Sequence, residues 1–276
     1  LLAFAASLAM LHPYPRQSLF GPTIRGKPWC VWEGQVRWNL DWEQHERTRW
    51  AKTMRWFGVA PVTMDDAELF DHPDMAPLLL HMTRDADPAV RRGVTSQFFW
   101  HKNLQDKSAV PILRERLDDT DPDCRIEAAM ALAVIDADVS VVPVLVRILE
   151  DPRSWHRYNA VRALAYIAHG NDVAFDALRR YAKDPDHEIR QEIMFNLFRS
   201  GKKGVPTLLQ ALDDPTYIVR QTALQSLCTI GPDAKDAVPV LQKRLDHPNK
   251  EARDFAAEAL SAIEPERFGH LRKDKK

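Results

Sequence analysis

The chain has 276 residues, with 38 Lys+Arg against 39 Asp+Glu, so its formal charge of −1 excludes a strongly cationic nucleic-acid binder and an acidic tail protein. Hydrophobic residues at 45% and charged residues at 28% belong to a globular chain and not to a disordered one. Ten glycines against 19 prolines favour helices joined by proline-bearing loops over an all-β fold. Cys30, Cys124 and Cys228 are far apart with no Cys-x-x-Cys, which argues against a disulfide framework and a cysteine zinc site.

The first segment, residues 1–11, is an apolar run with no basic lead-in. It is too short to span a bilayer, which takes roughly 20 apolar residues. Its small residues and Ser7-x-Ala9 suit the end of a signal peptide, and a truncated anchor fits equally well; a short core helix is the alternative. Residues 12–28 carry Pro13, Pro15, Pro22 and Pro28 and read as an extended linker.

From residue 29 to residue 264 the sequence repeats itself. Arg91, Arg125, Arg157, Arg190, Arg220 and Arg253 follow one another at steps of 34, 32, 33, 30 and 33 residues. Six residues before each stands Asp85, Asp119, Asp151, Asp184 or Asp214, with His247 the one departure. Seven residues after stands Phe98, Leu132, Leu164, Leu197, Leu227 or Leu260. A degenerate earlier copy spans 29–58 around Arg47, and an insertion at about 61–71 separates it from the repeats at about 74–264. Residues 265–276 are a basic tail, expected to fray from His270 onward.

Each repeat reads as two helices. The first is apolar at helical spacing with a proline in its opening turn, where backbone N–H groups lack partners, and Asp74, Ser108, Ser140 and Asp236 are the expected N-caps. The second starts at the arginine and buries the positions three, four, seven and ten beyond it, as with Ala128, Ala129, Leu132 and Ile135. The Asp-Pro or Asp-x-Asp-Pro turn joins them. One hairpin cannot bury its apolar faces alone, so the expected fold is all-α, a right-handed α-solenoid of about seven stacked hairpins. The recurring aspartate and arginine should form a ladder along the stack: Asp85, Arg91, Asp119, Arg125, Asp151, Arg157, Asp184, Arg190, Asp214, Arg220 and Arg253.

The pattern of leucines, paired aspartates, the arginine and following alanines resembles HEAT repeats, of the short bilin-lyase type. Gly26-Lys27-Pro28-Trp29-Cys30-Val31-Trp32, after an apolar start, is also similar to the entry segment of exported or anchored bacterial HEAT proteins. That resemblance implies the cell envelope or export, with a cytoplasmic location as the alternative. Some HEAT-like proteins are enzymes. The His-Glu pairs of the di-iron hydroxylases among them are missing from every slot after the repeat arginine, where residues such as Ile126-Glu127 and Gln191-Glu192 stand.

Catalytic strings for hydrolases, P-loops and dinucleotide folds are absent, His45-Glu46 and His187-Glu188 lack a second histidine, and the Asp-x-Asp pairs lack the glycine and glutamate of a calcium loop. No catalytic residue, metal or cofactor is therefore expected. In such stacks the second helices line one face, where positions two, five and nine after the arginine point away from the buried stripe, at ~100° per residue. Trp56, Trp100, Met130, Arg162, Tyr166, Phe195 and Arg199 fall there and compose a partner-binding face of exposed aromatics beside arginine. Six of the eight tryptophans lie between Trp29 and Trp56 and are expected to cap the open end of the stack. The functional expectation is a monomeric, non-catalytic scaffold for a protein or peptide. Nucleic acid is not an expected partner, and membrane contact would come only through the N-terminal segment. A bilin-lyase-like or DNA-glycosylase-like enzyme is the alternative.

Overall fold

The computed structural model describes residues 75–271 continuously, together with residues 23, 24, 27, 28, 32, 33, 36 and 70. The expectations for residues 1–11, Arg47, Trp56, Asp74 and most of the tryptophan cluster fall outside the described residues. Helices dominate what is described. They pair as hairpins at the sequence period: α1 (Met75–Met82) with α2 (Pro88–Trp100), α3 (Val110–Arg116) with α4 (Pro122–Asp136), α5 (Val142–Glu150) with α6 (Arg157–Ala168), α7 (Asp172–Tyr181) with α8 (His187–Asn196), α9 (Val205–Ala211) with α10 (Tyr217–Ile230), and α11 (Val238–Arg244) with α12 (Lys250–Ile263). The chain forms two compact units, residues 1–135 and 136–276.

Each interhelix turn is built from its first aspartate. The carboxylates of Asp85, Asp119, Asp184 and Asp214 accept a bond from the backbone N–H two residues on, at 2.8–2.9 Å. Where two aspartates are present, the second caps the following helix: Asp87 accepts from Ala89 N, Asp121 from Cys124 N and Asp186 from Glu188 N. His247, the departure from the pattern, keeps the turn by accepting Asn249 N at its Nδ1, 3.1 Å away. The repeat arginine then closes the loop from the other side. Arg91, Arg125, Arg190, Arg220 and Arg253 each donate Nη1 to the carbonyl six residues earlier, at 2.7–2.8 Å.

Helix starts correct one expectation. Ser108 and Ser140 are not caps; they lie inside short 3-10 turns, Lys107–Ala109 and Val139–Val141. Asp106 and Asp138, two residues earlier, accept from their backbone N–H groups at 2.8 and 3.0 Å. The extra turn moves the first unpartnered amides upstream, so the capping carboxylate moves with them. Asp236 likewise lies within a 3-10 segment, Gly231–Ala237.

In the first unit, Thr23–Ile24 (β1) and Lys27–Pro28 (β2) form a two-residue antiparallel pair inside the stretch read as linker. Ile24 is buried and its carbonyl accepts a bond from the buried Trp32 Nε1 at 2.9 Å. Trp32, Glu33 and Val36 are helical. Phe70, at the end of the insertion, is buried, stacks on His101 and accepts Asn103 Nδ2 at its carbonyl, so this end of the insertion packs on the repeat.

In the second unit α6 packs against α5, α7 and α8, α8 against α10, and α10 against α12. The array ends on a short helix, α13 (Pro265–Phe268), and a turn, Gly269–Leu271, both packed on α12. Phe268 is buried there, so the segment expected to be a tail is folded at least to Leu271. The apolar side chain of Phe268 gives these residues the burial that a purely basic tail would lack.

Candidate functional site

Arg91, Arg157, Arg190 and Arg220 bind an acidic side chain of the next hairpin, whereas Arg125 and Arg253, expected in the same ladder, bond among the described residues only to carbonyls of their own turns. Arg91 grips the carboxylate of Asp119 through Nε and Nη2, at 2.9 and 2.8 Å, and Arg190 grips Asp214 the same way at 2.8 and 3.0 Å. Arg157 reaches Asp184 at 2.5 Å. Arg220 finds His247 in the aspartate slot and binds Glu251 instead, at 2.6 and 3.2 Å. The Arg91 guanidinium holds the Asp119 carboxyl far below the usual carboxylate range. Burial works to raise the Asp214 carboxyl, but the bonds from Arg190 and the Thr216 N–H, with the charges of Arg190 and Arg220, together outweigh it and the group is lowered. Asp151 is a correction: its side chain is exposed and bonded within its own turn to Arg153 N, and Arg125 does not reach it.

A second set of pairs went unread in the sequence. Arg84–Glu115, Arg92–Asp123, Asp172–Lys203, Asp213–Arg244 and Arg220–Glu251 all bridge opposite charges 31 residues apart in successive repeats. Comparing charge signs at that spacing would have found them. Most are exposed and individually weak.

The residues assigned to the binding face separate into four groups. Trp56 lies outside the described residues. Met130 is fully buried and is no part of a surface; residues 128–133 of α4 are buried all round, so the face opposite the apolar stripe is covered as well. Trp100, in the first unit, is 48% exposed and meets Phe99 edge-on. Position two after the arginine is covered in three repeats, where Glu127, Glu192 and Thr222 are buried, and is half-buried at Gly93, Asn159 and Phe255. The neighbouring hairpin shields that flank, and position one is more open in its place.

Arg162, Tyr166, Phe195 and Arg199 do come together, in the second unit. On α6, Tyr158, Arg162 and Tyr166 are spaced by four and lie on one face. Glu192 on α8 is the buried centre of a polar seam. It bonds the Tyr158 hydroxyl, accepts Asn196 Nδ2 at 2.7 Å, and stands 4.0 Å from Arg162 Nε. Burial raises its pKa, with those three partners pulling the other way. The bond to Glu192, aided by burial, pushes the Tyr158 hydroxyl up to about 12.

One turn further along, the guanidinium carbon of Arg199 lies 4.7 Å from the Tyr166 ring centroid and 5.3 Å from that of Phe198. Phe195, 57% exposed, meets Phe198 edge-on at 6.4 Å. Tyr158 at 46% and Trp155 at 68% exposure extend the apolar surface to the start of α6. Trp155 was missed in the sequence. The available signal was an aromatic residue at a turn position held by Ala89, Asp123, Glu188, Ile218 and Glu251 in the other repeats.

No group of three or more histidine, cysteine or acidic side chains among the described residues is placed to hold a metal. An open cleft of about 430 Å³ lies over the turns of the second unit, lined by Arg179, Lys183, Arg190, Asp213 and Asp214. Its carboxylates are already taken, Asp213 by Arg244 and Asp214 by Arg190.

Tandem helical hairpins with a turn ladder and an exposed aromatic face define an all-α repeat protein of the solenoid class. The sequence profile of HEAT repeats matches residues 64–133, 110–197 and 205–269, more than half of the chain, and the chain belongs to the HEAT-repeat family. Among solved structures it is similar to an engineered protein, 23% identical over 84% of this chain and 68% of that one, with a TM-score of 0.51. A second engineered protein is 25% identical over 70% of this chain and 97% of that one, TM-score 0.46. The CpcE–CpcF complex of phycocyanin lyase from Nostoc sp. PCC7120 is 26% identical over 59% and 68%, TM-score 0.41. No curated protein matches the chain in sequence. No helix among the described residues is long and apolar enough to cross a membrane.

Proposed function

We propose that this HEAT-repeat array is a non-catalytic scaffold that holds an extended protein or peptide segment along the face of α6 and α8. The observation that carries the reading is the exposure of Tyr158 and Phe195 beside arginines that are already held in place. Single exposed apolar side chains are ordinary, but aromatic rings clustered with arginine have the composition of binding hot spots. Bonds between α6 and α8 restrain Tyr158, Arg162 and Glu192 before any partner arrives, so little side-chain freedom is lost on association. Trp100 of the first unit is a separate exposed contact point.

The test is co-purification from cells that make the protein, comparing wild type with Phe195→Ala, whose fold is checked by circular dichroism. Loss of the principal co-purifying protein is expected, and unchanged recovery overturns the reading. The apolar run 1–11 further supports a place in the cell envelope. Fractionation that finds the protein wholly in the cytosol overturns that part.

A further inference from the structure

The proposed face contains one cation unlike its neighbours. On the second helices of the second unit, Arg157, Arg162, Arg190 and Arg220 each stand against a carboxylate of the following hairpin, at 2.5, 4.0, 2.8 and 2.6 Å. Arg199 pairs with no carboxylate among the described residues, and its Nε is buried without a hydrogen-bond partner there. Its backbone is fixed, because its carbonyl accepts a bond from His169 Nδ1 at 2.8 Å. Its guanidinium is fixed as well, over the Tyr166 and Phe198 rings.

With Nε buried, the in-plane edge left to a ligand is the one formed by the two Nη groups, and that flat fork matches the two oxygens of a carboxylate. Stacking satisfies the faces of the group and leaves the edge to a ligand. The exposed Phe195 ring belongs to the same aromatic cluster, through Phe198. Lys202, exposed in the following turn, adds a second positive charge and favours an anionic partner. Resting on the scaffold reading above, we propose that Arg199 is the receptor for an aspartate or glutamate side chain of the bound segment, and that Phe195 takes the apolar residue beside it. The partner is an acidic linear peptide with an aromatic or aliphatic residue next to its carboxylate.

A random-peptide phage library selected on the whole protein tests this, with the selected peptides synthesised and their Kd measured. Selected peptides should carry an acid next to an apolar residue. Changing that acid to its amide should weaken binding to wild type about tenfold, and weaken binding to Arg199→Lys, which keeps the charge and loses the fork, by less than about twofold. An equal loss in both proteins, or selected peptides without an acid, overturns the carboxylate receptor while the scaffold reading stands. Failure to select any peptide over phage without an insert overturns the scaffold reading and this one with it. Tighter binding of a single-stranded oligonucleotide than of any selected peptide also overturns the proposal.

Discussion

Asp119 carries three tasks in one carboxylate: it takes two bonds from Arg91, a longer one from Arg116 at 3.3 Å, and the Asp121 N–H that closes its own turn. Asp119→Asn keeps the volume and the turn acceptor but leaves Arg91 buried without its counter-charge. A loss of about 3 kcal/mol is expected from urea unfolding. Because Arg91 depresses the folded-state pKa of Asp119, the ion pair contributes fully above the unfolded value of 3.8 and is lost as pH falls toward the folded value. The difference between wild type and variant should therefore stay level from pH 8 to pH 5 and shrink below about pH 4.

Glu127 titrates in the opposite sense. Burial pushes its carboxyl up to about 7, with Asp123 adding to the effect and Arg92 opposing it. A raised carboxylate pKa means stability that is present below the unfolded value of 4.5 and is lost as pH rises through about 7. Glu127→Gln removes the charge without changing the shape. Relative to wild type it should gain up to about 3 kcal/mol between pH 5 and pH 8 in paired denaturation curves.

At the scale of single elements, the junction after α8 depends on one backbone conformation. Gly201 has φ 54° and ψ −131°, outside what side chains other than glycine adopt. A Cβ there would meet nothing within 4 Å, so Gly201→Ala tests the backbone alone. It should cost about 1–3 kcal/mol. Gly170→Ala, equally open in space but without the positive φ, should be neutral or slightly stabilising. Gly231, eleven residues after its repeat arginine as Gly201 is after its own, has φ 59° and repeats the same junction. The aligned glycines were legible in the sequence as a register. Their left-handed geometry was not, because glycine at a helix end is compatible with several turns.

Across the array, stability passes between neighbours. In the second unit α8 is packed by α6 and α10, whereas α12 has α10 on one side and the small cap of α13 beyond it. Removing part of that cap by Phe268→Ala should speed amide exchange in α11 and α12 by at least about tenfold while α8 stays protected. Exchange accelerated equally in every helix would mean that the hairpins do not behave as a chain of coupled units.

The hairpin period of the described repeats, the aspartate turns and the arginine register were determined by the sequence alone, because each rests on interactions within about ten residues that recur at a fixed interval. Tertiary structure decided what each helix flank meets. Met130, Glu127 and Glu192 look like surface positions on an isolated helix with one apolar stripe, and they are buried because the fold covers a second flank. The replacement of the missing aspartate at His247 by Glu251, and the stacking of Arg199 on the Tyr166 ring, likewise depend on side chains about thirty residues away. Helical periodicity defines direction around one axis; which directions remain open to a partner is a property of how adjacent hairpins cross.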